Sequence, residues 1–150
     1  MSKALKARLK HAVQESEKKN IVKLICDELS IDSRVVNFQE CEFNSILSFF
    51  NGKHMEMVSL SVSDISLFFR FATFLQDLNV VSGVLFYVQT KNSCYFLNLP
   101  MSILKSKPDF FWKIKDLDHD ISDCVLIEER GQFGFAILYT EYGYELYKYY

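Results

Sequence analysis

The sequence predicts an α+β fold in which helices come first and a mainly antiparallel sheet follows, ending in a C-terminal meander covered by helices. Helical periodicity dominates residues 3–29 and 64–78. Residues 84–97 and 124–149 instead form short aromatic and β-branched runs separated by short segments, which typically join antiparallel neighbours. We expect a single domain over residues 1–150, with residues 1–30 as its first helices or as a helical arm.

The first helical region covers two segments. In residues 3–19 one face repeats at steps of three and four, with lysines around it: Leu5, Leu9, Ala12 and Ser16. Asn20 is expected to interrupt this helix, and a more apolar helix then continues to Leu29. A turn and short elements follow: strands over 34–38 and 54–60, and a helix over 46–50 that ends at Asn51-Gly52.

The clearest helix covers residues 64–78. Ser63 can cap it, and Asp64 suits the positive end of its dipole. Apart from one polar stripe (Ser66, Arg70, Thr73 and Asp77), nearly every position is apolar. A helix this apolar around its circumference is expected to be largely buried, with its four phenylalanines in the core.

The second half reads as strands. A hairpin is expected over 84–89 and 93–97, then short helices over 101–106 and 109–116, and three strands over 124–128, 133–139 and 144–149. The strand over 133–139 is apolar on both faces, which predicts a central position in a sheet covered by helices.

Composition excludes several classes of protein. With 49% hydrophobic and 24% charged residues, five Gly and two Pro, the chain is neither disordered nor a low-complexity repeat. No apolar run reaches the roughly 18 residues of a transmembrane helix, and residues 1–14 do not resemble a secretory signal, so we expect a cytoplasmic protein. The four cysteines contain no C-x-x-C pair and are expected to be buried free thiols: Cys26, Cys41, Cys94 and Cys124.

Motifs for catalysis are missing from the sequence. The three histidines are far apart, and neither a glycine-rich phosphate loop nor a nucleophile elbow occurs. Asp116, Asp118 and Asp120 match the opening of an EF-hand loop, but isoleucines occupy the positions that require Gly and Glu. We therefore expect no enzyme, no cofactor and no metal; a metal-dependent hydrolase using residues 116–124 is the enzymatic alternative.

Charge is unevenly distributed behind a formal net charge of −2. Residues 1–23 carry seven basic residues against two acidic ones, whereas residues 109–129 carry seven acidic residues against two lysines. Such an acidic cluster is either a solvated face or a surface that meets a basic partner. The basic helix lacks aromatic residues and the aromatic half is acidic, so direct nucleic-acid binding is not expected.

Residues 142–150 hold five tyrosines. Tyrosine is enriched where proteins meet, and it is also a favoured strand residue. The pattern therefore fits either interface anchors or cross-strand packing.

The run Phe133-Gly134-Phe135-Ala136-Ile137-Leu138-Tyr139-Thr140-Glu141-Tyr142-Gly143-Tyr144-Glu145-Leu146, after the acidic segment, resembles the ending of small bacterial immunity proteins. These proteins protect cells against polymorphic toxins such as those of contact-dependent growth inhibition. The resemblance covers about the last 35 residues. It implies a non-catalytic cytosolic protein that binds one toxin domain tightly, and many such toxins are nucleases with positively charged clefts.

The leading hypothesis is therefore an inhibitor whose acidic surface covers the basic cleft of a cognate toxin. The expected electrostatic contacts are Asp116, Asp118, Asp120, Asp123, Glu128 and Glu129, and the expected anchors are Tyr142, Tyr144 and Tyr147. We expect neither nucleic acid nor a membrane as a partner. The alternative is an adaptor or structural subunit that docks on a larger assembly through residues 3–29.

Overall fold

The computed structural model describes residues 1–39, 43–79, 82–117 and 123–150 and confirms the α+β class. The chain divides into two compact units, Met1–Val36 and Asn37–Tyr150. The helices are α1 (Lys3–Leu29), α2 (Phe43–Phe49), α3 (Asp64–Asp77), α4 (Met101–Ser106) and α5 (Pro108–Ile114). The strands are β1 (Asn37–Gln39), β2 (Met55–Val58), β3 (Gly83–Gln89), β4 (Cys94–Pro100), β5 (Cys124–Glu128), β6 (Gly134–Thr140) and β7 (Gly143–Tyr149).

The first unit consists of α1 and a short 3-10 turn. The α1 helix is continuous through Asn20, so the predicted interruption there is wrong. The hydroxyl of Ser2 caps it by accepting a hydrogen bond from the Leu5 amide at 3.2 Å, and Ser30 ends it in a left-handed conformation with φ 53°. In the described part of the chain, no helix combines the length and the apolarity needed to cross a membrane.

The second unit is built on a seven-stranded sheet of order β1-β4-β3-β5-β6-β7-β2, in which every neighbouring pair is antiparallel. The predicted β3–β4 hairpin and β5–β6–β7 meander are confirmed. Both edge strands, β1 and β2, come from the first half of the chain. They form the two edges of the sheet. The strands β3, β5 and β6 lie between these edges, and their residues are buried almost throughout.

One face of the sheet is covered by α3 and α5. The Phe71 ring lies about equally close to three buried rings, with centroids 6.0 Å from Phe86, 5.9 Å from Phe135 and 5.7 Å from Trp112. Phe74, one helical turn further, lies 5.0 Å from Phe135. Each such side chain is worth roughly 1.5–3 kcal/mol through the apolar area that it removes from water.

The opposite face carries a second apolar cluster. Phe50, which follows α2, is buried there and packs against Tyr147 with ring centroids 5.4 Å apart. The strand residues of this cluster are Leu85, Tyr87, Phe96, Val125, Ile127, Ala136 and Leu138. Because β6 contributes Phe135 to one face and Ala136 to the other, it is apolar on both sides, as its sequence predicts.

The expectation that all four phenylalanines of α3 are core residues is wrong. Phe71 and Phe74 are buried, Phe68 is half-buried, and Phe69 is 60% exposed. Ile65, one turn before Phe69, is 62% exposed. These two residues lie on the side of α3 that faces away from the sheet, so the helix carries apolar side chains into solvent.

We expect Phe71→Ala to lower the free energy of unfolding by about 3–5 kcal/mol, because it empties a position surrounded by three rings. The matched control is Phe69→Ala on the same helix, which should change that free energy by no more than about 0.5 kcal/mol. Chemical denaturation of both variants measures the difference. Equal losses would contradict the described packing of α3.

Candidate binding surface at one end of the sheet

The antiparallel strands place the loops at two ends of the sheet. At one end, named here the acidic end, β3 and β6 finish and β5 and β7 begin. The opposite end holds the β5–β6 turn over residues 129–133. Among the residues predicted from sequence, those at the acidic end are Asp116, Asp123, Tyr142 and Tyr144. Asp118 and Asp120 lie outside the described residues.

Asp116 is held beside the end of β3 and is paired with a buried cation. The Gln89 amide donates to the Lys115 carbonyl at 2.7 Å, and Gln89 forms a single parallel bridge with Asp116. The Lys115 side chain is only 2% exposed; its ammonium lies 4.1 Å from the Trp112 ring centroid and 3.4 Å from Asp116 Oδ2. Asp116 is therefore half-buried and balances an internal charge, since a buried ammonium needs a compensating partner.

Asp123 has a structural contact of its own. Its Oδ1 accepts a hydrogen bond from the Tyr139 amide at 2.7 Å, which ties the residue before β5 to the end of β6. The Tyr139 ring meets Tyr144 edge-on, with centroids 5.9 Å apart. This contact connects the start of β5 with a tyrosine pair at the acidic end.

Glu128 lies at the opposite end, and its prediction as a contact for a partner is wrong because its side chain is 1% exposed. Its Oε2 accepts hydrogen bonds from the amides of Arg130 at 2.8 Å and Gln132 at 3.0 Å, closing the β5–β6 turn. Gly131, inside this turn, has φ 76°, and a Cβ there would lie 2.6 Å from Phe49 Cζ. Glu129 is exposed beside the turn, away from the acidic end.

The three predicted tyrosines differ in exposure. Tyr142, in the β6–β7 turn, is 80% exposed. Tyr144 is half-buried against Tyr139. Tyr147 is half-buried against Phe50, and its hydroxyl donates to Glu145 Oε2 at 3.0 Å. Burial, helped by the neighbouring Glu145 carboxylate, raises the pKa of Tyr147 above its ordinary value. Tyr142 is thus the tyrosine most available to a partner, while Tyr147 packs across the sheet.

Sequence reasoning missed the exposed pair Ile65 and Phe69. The Trp112 indole donates to Asp64 Oδ2 at 3.1 Å, so the first turn of α3 is tied to the residue that stacks under Lys115. Phe68 bridges the same elements, with ring centroids 5.9 Å from Trp112 and 6.0 Å from Phe69. The polar stripe of α3 could have predicted the exposure of Phe69, because Phe69 lies only about 60° around the helix from Ser66 and so shares the solvent-facing side.

Exposed apolar and aromatic side chains therefore occur in two places on this unit: Tyr139 and Tyr142 at the acidic end, next to Glu141 in sequence, and Ile65 and Phe69 on the side of α3 that faces away from the sheet. Exposed Lys91 in the β3–β4 turn also borders the acidic end, so charge alone does not define the surface. Within the described ranges, no group of three or more His, Cys, Asp or Glu residues is placed to hold a metal ion. Comparison of the chain with protein-family models, curated proteins and solved structures finds no match.

The cysteines near this end differ in environment. Cys124 is fully buried, and burial raises the pKa of its thiol to about 12, although the Lys115 ammonium lowers it in part. Cys94, at the start of β4, is exposed, so the expectation that all four thiols are buried is wrong. Cys41 lies outside the described residues.

Replacing Glu128 should weaken the fold, and replacing Glu129 should not. Glu128→Ala removes the acceptor of two turn amides, so we expect the free energy of unfolding to fall by about 2–3 kcal/mol. Glu129→Ala, one residue away and exposed, should change it by about 0.5 kcal/mol at most. Urea titration compares the variants, and a Glu129 effect as large as that of Glu128 would refute the assigned turn contacts.

Cys94 should react with iodoacetamide well before Cys124 in the folded protein. Alkylation requires an accessible thiolate. The Cys124 thiol is buried, and pH 8 is far below its pKa of about 12, so it stays protonated. Peptide mass spectrometry after timed alkylation gives the order of modification. Both sites should react in denaturant; prompt labelling of Cys124 without denaturant would contradict its burial.

Proposed function

We propose that this protein is a cytoplasmic immunity protein that binds and neutralises a cognate toxin, with a nuclease as its target. The observation that supports this most is the exposure of large apolar and aromatic side chains on the second unit, above all Ile65 and Phe69 on α3 and Tyr142 at the acidic end. A stable protein interface typically has a few large apolar anchors within a polar rim. On this proposal the protein acts by covering its target rather than by catalysis.

The structure gives the acidic residues other roles than the sequence hypothesis gave them. Glu128 is internal, Asp116 balances Lys115, and Asp123 holds the Tyr139 amide. Among the described carboxylates, Glu141 is the one at the acidic end that is left to meet a partner; Asp64 is exposed but accepts the Trp112 indole N–H. We therefore assign most of the affinity to the apolar anchors, and to the carboxylates a role in steering encounter and orientation.

A basic cleft would be a suitable target for this arrangement. Carboxylates on the rim can meet cations that otherwise contact phosphate, and such pairs speed association more than they strengthen it. The aromatic side chains can fill apolar depressions beside the cleft, where removal of water makes each contact stronger. An inhibitor seated in this way blocks substrate without any reaction of its own.

The direct test requires a neighbouring gene in the native host that encodes a large secreted protein; it uses the variable C-terminal domain of that protein in a catalytically inactive form. We expect a complex in which Phe69→Ala raises Kd by about tenfold or more, because an interface anchor is lost. Glu141→Lys should slow association and reduce its dependence on salt. Biolayer interferometry measures both effects.

Glu129→Lys is the matched control, since it makes the same charge change on an exposed residue at the opposite end of the sheet. It should leave association unchanged. An effect equal to that of Glu141→Lys would show that the surface is misplaced. A domain that neither binds the protein nor loses toxicity on co-expression would refute the proposal itself.

A further inference from the structure

The first half of α1 is exposed around its whole circumference. Every side chain from Met1 to Val13 is exposed, although the backbone is helical from Lys3 onward. A helix as short as residues 3–13 would be marginal in water if it stood alone, without a partner for an apolar face. This segment therefore presents a formed helix whose side chains are available for binding.

The apolar faces of the two halves of α1 point in opposite directions. Ile21 and Ile25 are buried, whereas Leu5 and Leu9 are exposed. Leu5 precedes Ile21 by sixteen residues, as Leu9 precedes Ile25, which places each pair about 160° apart around an α-helix. The Leu5 and Leu9 face consequently cannot be a continuation of the face that Ile21 and Ile25 bury.

The exposed segment is amphipathic and cationic. Leu5, Leu9 and Val13 follow one another at steps of four, within about 80° of the helix circumference. Lys6 lies on one side of this apolar strip and Arg8 on the other. With Lys3 and Lys10 added, residues 1–14 carry four cations and neither Asp nor Glu.

We propose that this half of α1 binds the surface of an anionic lipid membrane, lying flat with Leu5, Leu9 and Val13 in the headgroup boundary. A helix with a leucine face flanked by lysine and arginine has this property, because the long cationic side chains reach the lipid phosphates while their stems stay apolar. Each cation near an anionic leaflet strengthens the attachment. The inference is independent of the proposed inhibitor function, which uses the other unit of the chain.

Charge complementarity favours this occupant over a second copy of the chain. Pairing two copies through the same strip would bring the flanking cations of one segment against those of the other. The sequence alone predicts no membrane partner, since no apolar run in it reaches the length of a membrane-spanning helix. A flat surface helix does not require such a segment; it requires the continuous, exposed, two-sided helix that α1 provides.

The test is co-sedimentation of the full chain with phosphatidylcholine vesicles that contain about one-third phosphatidylglycerol. We expect at least about tenfold more binding than to pure phosphatidylcholine, with a decline as salt is raised. Lys6→Glu with Lys10→Glu should remove most of this binding. The matched control is Lys113→Glu with Lys148→Glu, two exposed lysines of the other unit, which should keep it.

A second pair of variants tests the apolar contribution. Leu5→Ser with Leu9→Ser should reduce vesicle binding about tenfold while leaving the charge unchanged. Exposed Met55→Ser with Met57→Ser is its control and should have no effect. If the leucine variant bound vesicles as well as the wild type, the binding would be attraction between charges alone, and the proposal would be overturned. It would also be overturned if the wild-type protein stayed in solution with anionic vesicles at low salt.

Discussion

The packing of Phe71 against Phe86, Phe135 and Trp112 is the contact on which the second unit depends. It attaches α3 to two central strands and to α5 at a single point of the core. Once Phe71 faces the sheet, Phe69 lies about 200° away around the helix and must face solvent. The exposed surface of α3 is thus a geometric consequence of its buried one.

Lys115 extends this packing to the acidic end. Its buried ammonium lies over the Trp112 ring and beside the Asp116 carboxylate, and Trp112 in turn donates to Asp64. The cost of removing an ammonium from water is offset by these two partners. As a result, the start of α3, the end of α5 and the end of β3 are held together.

The acidic residues of 109–129 show why a cluster in sequence need not be a patch on a surface. Asp123 and Glu128 lie at the two ends of β5, and a strand of this length separates them by about 17 Å. One carboxylate holds the end of β6, and the other is buried and closes the β5–β6 turn. The count of charges was correct, but most of the described carboxylates serve the fold, and the aromatic anchors carry more of the proposed interface.

Local information in the sequence determined the element types, the β3–β4 hairpin, the β5–β6–β7 meander and the capped start of α3, because periodicity, caps and short turns act between neighbouring residues. It also put Tyr142 between the last two predicted strands, although its exposure was decided by the structure. Only the tertiary structure decided that β1 and β2 form the sheet edges, that Phe69 is exposed while Phe71 is buried, and that Glu128 is internal. Those outcomes depend on which distant elements pack together. The residues next to a position in the sequence do not determine on which side of it a distant element will pack.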